Sequence, residues 1–396
     1  MRNEESISQH TGGSLFTRDF VLGFFAFFFF LTAITSLTPT LPIYLARVGS
    51  NEREIGVLIG IIAVASLASR LFVGGALLKY RAKSIMMGGA LLAAITFLAY
   101  IVFHPFWPFL IIRFLQGVTM ACIDTAAFAS IIGVVPLAYR TRALGYLMLA
   151  FSLAMAVAAP LGMFVINQYS FTMLFLSGAG LCFCALLLSW KVEGQEIAIP
   201  QKDSPAHSTS FFDLKIITPA ITSFLQFFVW GAVSAFFPLY AIQCGVTNPG
   251  HFFSAMAIML IAGRLLGGKI MDTYNKEKLI VTFLPAMVVI FIILSLSKTL
   301  SMFIFVGAFW GIGAAFFVPM AMAYALEYSG SSGGTAVGTF RALQDLGMAL
   351  GPVVVGIIIP LTGYPVMFLC LALICLINFC YFQFYVRKRR NTVPTV

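Results

Sequence analysis

The stretch LPIYLARVG at residues 41–49 returns 196 residues later as FPLYAIQCG at residues 237–245. Each copy closes an apolar run on a glycine. Other landmarks recur at offsets close to 194 or 192: SRLFVGG (69–75) with GRLLGGK (263–269), RFLQG (113–117) with GAFWG (307–311), RALG (142–145) with TAVG (335–338), and APLG (159–162) with GPVVVG (351–356). A near-constant offset across so many landmarks predicts that one structural unit occurs twice in the chain.

The composition identifies the solvent around this unit. Of the 396 residues, 60% are hydrophobic and only 10% are charged, whereas soluble domains carry about 25% charged residues. The chain is therefore predicted to be a polytopic membrane protein. The seven cysteines form no C-x-x-C pair and have no histidine at ligand spacing, so neither a disulfide nor a metal site is expected.

Twelve apolar runs are long enough to span the roughly 30 Å of bilayer hydrocarbon, and all should be helices because lipid offers the backbone no hydrogen-bond partner. The runs cover residues 20–46, 54–78, 84–103, 107–136, 144–167, 171–190, 214–243, 251–271, 279–297, 300–326, 336–360 and 363–386. A polar linker at 191–213 divides them into halves of six helices, 1–190 and 214–396. The polar N-terminus precedes no signal-peptide cleavage site, so the first run is predicted to be an uncleaved span.

Basic residues predict the orientation, because cytoplasmic loops carry an excess of lysine and arginine. One set of loops carries most of these residues: Lys79, Arg81, Lys83, Arg140, Arg142, Lys276, Lys278 and the tail from Arg387 to Arg390. The opposite set carries only Arg47, Arg53 and Lys298. Both termini and the linker are therefore expected in the cytoplasm. The net charge of +10 reflects this topology and gives no reason to expect nucleic-acid binding.

Two six-helix repeats in parallel describe one class of secondary transporter, and three motifs carry a closer resemblance. RLFVGGALLKYRAK after the second span resembles the loop signature R-x-x-x-G-x-L-x-D-R-x-G-R-[RK] of the major facilitator superfamily, and RLLGGKIMDTYNKEK echoes it in the second half. RFLQG is similar to the R-x-x-Q-G motif of the proton-coupled drug-efflux branch. AVAAPLGMF resembles a degraded form of the exporters' G-P-x-x-G-G motif.

The resemblance implies an all-α fold with twelve transmembrane helices in two pseudo-symmetric halves, and it assigns gating residues. In the family, the aspartate of the loop signature latches the cytoplasmic side shut. This chain has Leu78 at that position, whereas the second copy keeps Asp272. The resemblance therefore implies a latch carried by the C-terminal half. Arg70, Arg264 and Arg341 complete the expected gating set.

The fourth span holds the residues of greatest chemical interest. Arg113, Gly117, Met120 and Asp124 lie on one stripe of a helix, which is expected to line water because charges facing lipid are costly. Arg113 and Asp124 are roughly 16 Å apart along the axis and cannot pair directly. Asp124 is expected to titrate with the transported proton; the alternative is a hydrogen bond in helix packing. The family resemblance implies a coupling role for Arg113, and the alternative is a structural ion pair.

Two further residues, Asp345 and Glu327, complete the predicted coupling set. Arg341 and Asp345 stand four residues apart and are expected to form an intrahelical ion pair, which would keep Asp345 ionised. Glu327 lies at the end of the tenth span. It is expected to be either an interfacial residue or an alternating partner of Arg341.

In the family, spans 1, 4, 7 and 10 line the central cavity. The residues expected there are Gln116, Met120, Gln226, Trp230, Trp310, Met320 and Tyr324. Aromatic and methionine side chains suit an amphiphilic organic solute better than a sugar, although such stripes also occur in ordinary packing. Gln116 and Gly117 have the same alternative reading as packing residues.

The sequence contains no Walker A, H-E-x-x-H or G-x-S-x-G pattern, so neither an ATPase nor a hydrolase is expected. The prediction is a monomeric, proton-coupled exporter of an organic small molecule in a bacterial inner or plasma membrane. Its partners are the substrate, protons and membrane lipids, with no cofactor. The alternatives are an importer or uniporter of a carboxylate or sugar, and a scaffold or sensor that does not transport.

Overall fold

The computed structural model describes residues 16–104, 106–135, 139–192, 214–329 and 334–388. Most of the linker 191–213 and the last residues of the basic tail lie outside these ranges. Within them the chain forms eleven α-helices: α1 Arg18–Arg47, α2 Glu52–Ala76, α3 Ala82–Val102, α4 Phe106–Val134, α5 Arg140–Gln168, α6 Phe171–Lys191, α7 Leu214–Gln243, α8 Gly250–Thr273, α9 Lys276–Leu296, α10 Leu300–Ser329 and α11 Gly334–Cys380. A π-helical turn, Tyr381–Val386, follows α11.

Local chemistry accounts for several helix ends. The Thr17 side chain accepts a hydrogen bond from the Phe20 amide at the start of α1, and Asn51 and Glu54 form a reciprocal capping box at the start of α2. Gly49 and Gly245 follow the ends of α1 and α7 with φ of 93° and 83°, a conformation that favours glycine. These two glycines close the repeated stretches LPIYLARVG and FPLYAIQCG, so the repeat extends to backbone conformation.

The long helix α11 contains two of the predicted spans. Gly363 has φ 77° and ψ 170°, which interrupts the helix near its middle. Before the interruption, Gly347 packs against the backbone of Phe224 in α7; after it, Asn378 Nδ2 donates to the carbonyl of Thr222, also in α7. The chain therefore turns back at Gly363. The eleven apolar helices of the described residues thus supply the twelve predicted crossings.

The two sets of six helices meet through equivalent contacts. A Cβ on Gly56 of α2 would collide with the carbonyl oxygen of Pro352 in α11. A Cβ on Gly250 of α8 would lie 2.6 Å from the carbonyl oxygen of Ala159 and 2.7 Å from Cα of Pro160 in α5. Gly250 follows Gly56 by 194 residues and Pro352 follows Pro160 by 192, the offsets of the sequence repeat. Helix pairs α2–α11 and α5–α8 are therefore related by a pseudo-two-fold axis.

These close crossings lie on one side of the molecule. We call the side where α1 begins the termini side and the side where it ends the distal side. On the distal side, Asn167 Nδ2 donates to the Thr247 carbonyl at 2.9 Å, and Ser254 Oγ donates to the Ala156 carbonyl at 2.6 Å. The distal ends of the two helix sets are thus held together by backbone contacts and hydrogen bonds.

Candidate functional site

A charged cluster joins the two helix sets between α2, α4 and α11. Arg70 Nη2 donates to Asp124 Oδ2 at 3.3 Å, and Arg70 Nη1 lies 3.1 Å from Asp345 Oδ2. Asp124 belongs to the same six helices as Arg70, whereas Asp345 belongs to the other six. One guanidinium therefore holds a carboxylate from each half of the molecule.

The two ion pairs differ in geometry. The contact with Asp124 is aligned as a hydrogen bond. The contact with Asp345 is not, since Asp345 Oδ2 is buried without a hydrogen bond despite its distance from Arg70. Charge-assisted hydrogen bonds are stronger than unaligned charge contacts. The pair that crosses between the halves is therefore the weaker of the two.

The cluster lies deep in the molecule, and its side chains are partly exposed. Asp124 stands ten residues before the end of α4 and Asp345 eleven residues after the start of α11, so each is roughly 15 Å from the termini-side end of its helix. The side chains of Arg70, Asp124 and Asp345 are 29%, 33% and 19% exposed. Such partial exposure permits proton exchange with water, as a coupling site requires.

Arg341 lies on α11 four residues before Asp345, and Arg264 lies on α8. Arg341 Nη1 donates to Gln344 Oε1 at 3.3 Å. Among the described residues, neither Arg341 nor Arg264 has a carboxylate within 4.0 Å. The expected ion pair between Arg341 and Asp345 is therefore not formed, because Asp345 is oriented towards Arg70 on α2.

The stripe on α4 faces α2, which corrects the expectation that it lines water. Arg113 Nε donates to the Leu58 carbonyl at 2.8 Å, and a Cβ on Gly117 would lie 2.5 Å from the Ile62 carbonyl. Asp124, the last residue of the stripe, contacts α2 through its ion pair with Arg70. A small residue at position 117 lets α4 approach α2 closely, and the charged residues on either side then find partners on that helix. The cation that Asp124 meets is Arg70 of α2, a contact that the spacing along α4 does not reveal.

Arg113 belongs to a buried polar network away from the charged cluster. Its Nη1 donates to Gln116 Oε1 at 2.6 Å, and the Tyr100 hydroxyl donates to the same oxygen at 2.7 Å. Arg113 is 5% exposed, and Gln116 and Tyr100 are fully buried. In this conformation Gln116 is therefore a structural partner of Arg113 rather than a cavity-lining residue.

The other predicted gating and coupling residues lie elsewhere. Glu327 is exposed and forms an ion pair with Lys276 at the start of α9, rather than the expected pair with Arg341. Asp272 is part of α8, but its side chain lies outside the described part of the structure. Its latch role stays a prediction.

Most of the predicted cavity residues are packed in the interior. Trp310 is 2% exposed and makes edge-to-face contacts with Trp230 and Phe291 at centroid distances of 5.5 and 5.0 Å. Met320 and Tyr324 belong to a buried cluster between α7, α9, α10, the start of α11 and the π-helical turn. They differ from the expectation of an open lining because neighbouring aromatic side chains cover them.

Of the other three predicted residues, two are half-buried and one is buried. Trp230 and Met120 are half-buried and pack against the core. Gln226 is 8% exposed, and its Oε1 has no hydrogen-bond partner among the described residues. A substrate role for these three stays a prediction.

Two residues of the polar networks escaped prediction. Gln344 stands three residues after Arg341, a spacing that places both on one helix face and that could have indicated the contact. Tyr100 lies on α3, and its bond to Gln116 on α4 arises only from tertiary packing. No local pattern marks it.

The chain matches the family model of the Major Facilitator Superfamily over residues 23–301 and 283–395. Two relatives from Staphylococcus aureus are similar over most of their length. The staphylopine export protein is 24% identical over 373 residues, covering 88% of this chain and 91% of the relative. The quinolone resistance protein NorA is 22% identical over 350 residues, covering 85% and 88%.

Solved structures agree in fold at low sequence identity. A bacterial homologue of the human lysosomal transporter Spinster, in an inward-facing and unoccupied conformation, superposes with a TM-score of 0.77 at 12% identity, covering 94% of this chain and 96% of that one. The nucleoside transporter NupG gives a TM-score of 0.74 at 14% identity, covering 95% and 99%. With its apolar helices and this family match, the chain is an all-α, multi-pass membrane protein and belongs to the major facilitator superfamily of transporters.

Proposed function

We propose that the chain is a proton-coupled exporter of an organic small molecule that works as an antiporter by alternating access. The named activities of its two staphylococcal relatives, staphylopine export and quinolone resistance, support export. Drugs, metallophores and metabolites all remain open as substrates.

The single observation that carries proton coupling is the shared guanidinium of Arg70. It holds Asp124 of its own half and Asp345 of the other half. A proton that binds to Asp124 removes the negative charge and ends that ion pair, which frees Arg70 to rearrange relative to Asp345. Protonation is thereby linked to the contact between the halves, which alternating access has to remake in each cycle.

Asp124 is the first candidate for the proton because it is the more exposed of the two carboxylates. The two carboxylates interact through Arg70, so their titrations are coupled and the proton is assigned to the pair rather than to one residue alone. Arg113 acts in this scheme by positioning α4 against α2 through the Leu58 carbonyl.

The proposed orientation places both termini and the linker 191–213 in the cytoplasm of a bacterial cell, with a single chain in the inner or plasma membrane. The halves are 1–190 and 214–396. In this orientation the close distal crossings seal the protein towards the outside, as in an inward-facing state. A reporter-fusion map at residues 200, 275 and 390 tests the orientation, and any of the three positions outside would contradict it.

Transport into inverted vesicles tests the function. Substrate uptake should follow an imposed pH gradient in the wild type and be lost in Asp124→Asn, while substrate binding and energy-independent exchange persist. Arg53→Gln, at an exposed site on the distal side, serves as the control. If Asp124→Asn transports at the wild-type rate and Asp345→Asn does not, the proton belongs to α11 instead.

The same vesicles separate the alternative functions. Net flux of substrate in the opposite direction would identify an importer. Flux that ignores the pH gradient would identify a uniporter. No flux for any solute that the protein binds would identify a scaffold or sensor.

A further inference from the structure

A cavity of about 270 Å³ opens on the distal side of the molecule, between the α1–α2 and α3–α4 connections. Its inner surface is apolar and consists of the buried side chains Leu45, Leu58 and Phe109. Every residue that lines it belongs to the N-terminal half. Glu54, which lines the cavity, stands sixteen residues before Arg70 on α2, roughly 24 Å along the helix. The cavity is therefore separate from the charged cluster between the halves.

Glu54 gives this cavity a negative charge. The side chain is half-buried, and no ion pair with it occurs in the described part of the chain. No lysine or arginine belongs to the described lining. Arg47, in the last turn of α1, lies over the ring of Phe171 on α6 instead, 5.3 Å from its centroid. A carboxylate that lines a cavity without a resident cation favours a positively charged ligand.

The start of α2 does not favour an anion in this cavity. Glu54 Oε2 accepts from the Asn51 amide at 3.1 Å, and Asn51 Oδ1 accepts from the Glu54 amide at 3.0 Å. This reciprocal capping box uses backbone donors that could otherwise bind an anion. The charged group that α2 offers to a ligand is therefore the carboxylate.

The aromatic part of the lining is held in place by ring contacts. The Tyr44 hydroxyl lies 2.9 Å from His104 Nδ1. The Phe109 ring stacks against both, with centroid distances of 5.8 Å to Tyr44 and 6.3 Å to His104. Phe106 adds another aromatic side chain to the cavity. Aromatic side chains of this kind pack well against a ligand ring, and the volume is below the range of about 300–1,000 Å³ typical of sites for drug-sized ligands. The cavity therefore suits a ligand with a single ring.

The repeat shows that the fold itself does not require this chemistry. At the usual offset of 194, the C-terminal half has Asn248 in place of Glu54 and Phe252 in place of Leu58. Asn248 Nδ2 donates to the Pro160 carbonyl at 3.4 Å. The Phe252 ring is buried and packs against Phe237 at a centroid distance of 4.0 Å. The acid and the smaller side chain are thus particular to the N-terminal half.

We propose that this distal cavity binds a small organic cation, a primary amine attached to one apolar ring. The ammonium group pairs with the Glu54 carboxylate, and the ring packs against Phe106 and Phe109. The site is independent of proton-coupled export, since none of its residues belongs to the charged cluster. In the proposed orientation it opens to the outside of the cell.

Three phenyl compounds with the same two-carbon chain test the charge preference. 2-Phenylethylamine is a cation at neutral pH, 2-phenylethanol is neutral, and 3-phenylpropionate is an anion. Binding is measured by titration calorimetry on the full chain in phosphatidylcholine nanodiscs. The amine should bind saturably, and the alcohol and the carboxylate should each bind at least about tenfold more weakly, because a charge-assisted hydrogen bond is lost.

Substitutions locate the amine. Glu54→Gln keeps a side chain that can complete the capping box and should weaken 2-phenylethylamine at least about tenfold. Glu52→Gln is the matched control, because Glu52 lies in the same first turn of α2 but does not line the cavity. It should leave the affinity unchanged, as should Asp124→Asn. Ser50→Trp places a large side chain in the cavity and should abolish binding.

Cysteine protection gives an independent measure of where the amine binds. Ser50→Cys, in a chain whose seven native cysteines are replaced, introduces a thiol on the cavity lining. A methanethiosulfonate reagent should label this thiol, and 2-phenylethylamine should reduce the rate in proportion to the occupancy that calorimetry gives. Adding Glu54→Gln should remove the protection at the same amine concentration.

Several results would overturn this assignment. They are the absence of saturable amine binding, tighter binding of 3-phenylpropionate than of the amine, and equal affinity of the wild type and Glu54→Gln for the amine. Loss of binding in Asp124→Asn but not in Glu54→Gln would place the amine in the charged cluster instead. Unchanged labelling of Ser50→Cys at saturating amine would show that the ligand binds outside the cavity.

Discussion

The two halves of the molecule share their backbone contacts but not their interior chemistry. In the N-terminal half, Arg113, Gln116 and Tyr100 form a buried hydrogen-bonded network. At the equivalent positions 307 and 310, the C-terminal half has a glycine and a tryptophan, and Trp310 packs against Trp230 and Phe291. The same helix arrangement is thus stabilised by buried hydrogen bonds in one half and by the packing of large aromatic side chains in the other.

This difference between the two interiors indicates which features a duplicated fold requires. Close crossings such as Gly56 on Pro352 and Gly250 on Ala159 occur in both halves because the helix packing depends on them. The single charge on Arg70 lies against two carboxylates, whereas no carboxylate in the described part of the chain lies within 4.0 Å of its counterpart Arg264. Side chains that do not set the helix spacing are free to differ, and we propose that the transport chemistry lies in those differences.

The largest expected effect compares the two interiors. Arg113→Ala and Trp310→Ala should each lower the free energy of unfolding by about 3 kcal/mol, the first by leaving buried acceptors without donors and the second by opening a cavity. Trp310→Phe should recover most of the loss, whereas Arg113→Lys should not, because lysine lacks the planar fork. Thermal unfolding in detergent measures all four variants. Full recovery of stability by Arg113→Lys would contradict the claim that the network depends on the hydrogen-bond geometry of the guanidinium group.

The next comparison is between the paired arginines. Arg70→Gln should destabilise the protein by about 2 kcal/mol, because two carboxylates then face each other without a cation. Arg264→Gln should leave stability unchanged or raise it, since it removes a partly buried charge that has no carboxylate within 4.0 Å among the described residues. Melting temperatures, compared with that of the Arg53→Gln control, show whether each substitution lowers or raises stability. Equal destabilisation by both substitutions would contradict the proposed difference between Arg70 and Arg264.

A smaller effect concerns the shared crossings. Gly56→Ala and Gly250→Ala insert a methyl group against facing backbone, and each should shift the equilibrium by about 2 kcal/mol towards opening on the distal side. Gly180→Ala meets no atom within 4 Å and is the control. Cysteine labelling from the distal side should rise equally in both variants. A response in only one of them would mean that the two crossings are not equivalent.

The smallest effect concerns the latch that distinguishes the halves in sequence. Asp272→Asn should shift the population towards opening on the termini side by about 1 kcal/mol, the lower end of coupling energies. Leu78→Asp supplies the acid that the first copy lacks and should shift it the other way. Cysteine accessibility on the termini side reports both. Unchanged accessibility in Asp272→Asn would count against the latch.

The sequence predicted the helices and their repeat because apolar length and constant offsets are local properties. It also selected Asp124, Arg341 and Asp345 as important, since charges in apolar spans are rare, while the family resemblance selected Arg70. It paired them wrongly because the spacing along α11 favours Arg341 with Asp345, while the rotation of α11 against α2 turns Asp345 towards Arg70. The burial of Trp310, Met320 and Tyr324 was missed for a similar reason, since a residue type does not reveal which neighbours cover it.

The central claim is that protonation of Asp124 acts through Arg70 on the contact between the halves. Spin labels can be attached at positions 79 and 274, which are exposed on the two equivalent termini-side connections, once the seven native cysteines are replaced. Pulsed electron–electron double resonance then measures the distance between the halves. The wild-type distance distribution should change between about pH 8 and about pH 5.5. Asp124→Asn should show the low-pH distribution at both values, and Arg70→Gln should not respond to pH. A full pH response in Asp124→Asn would contradict the claim.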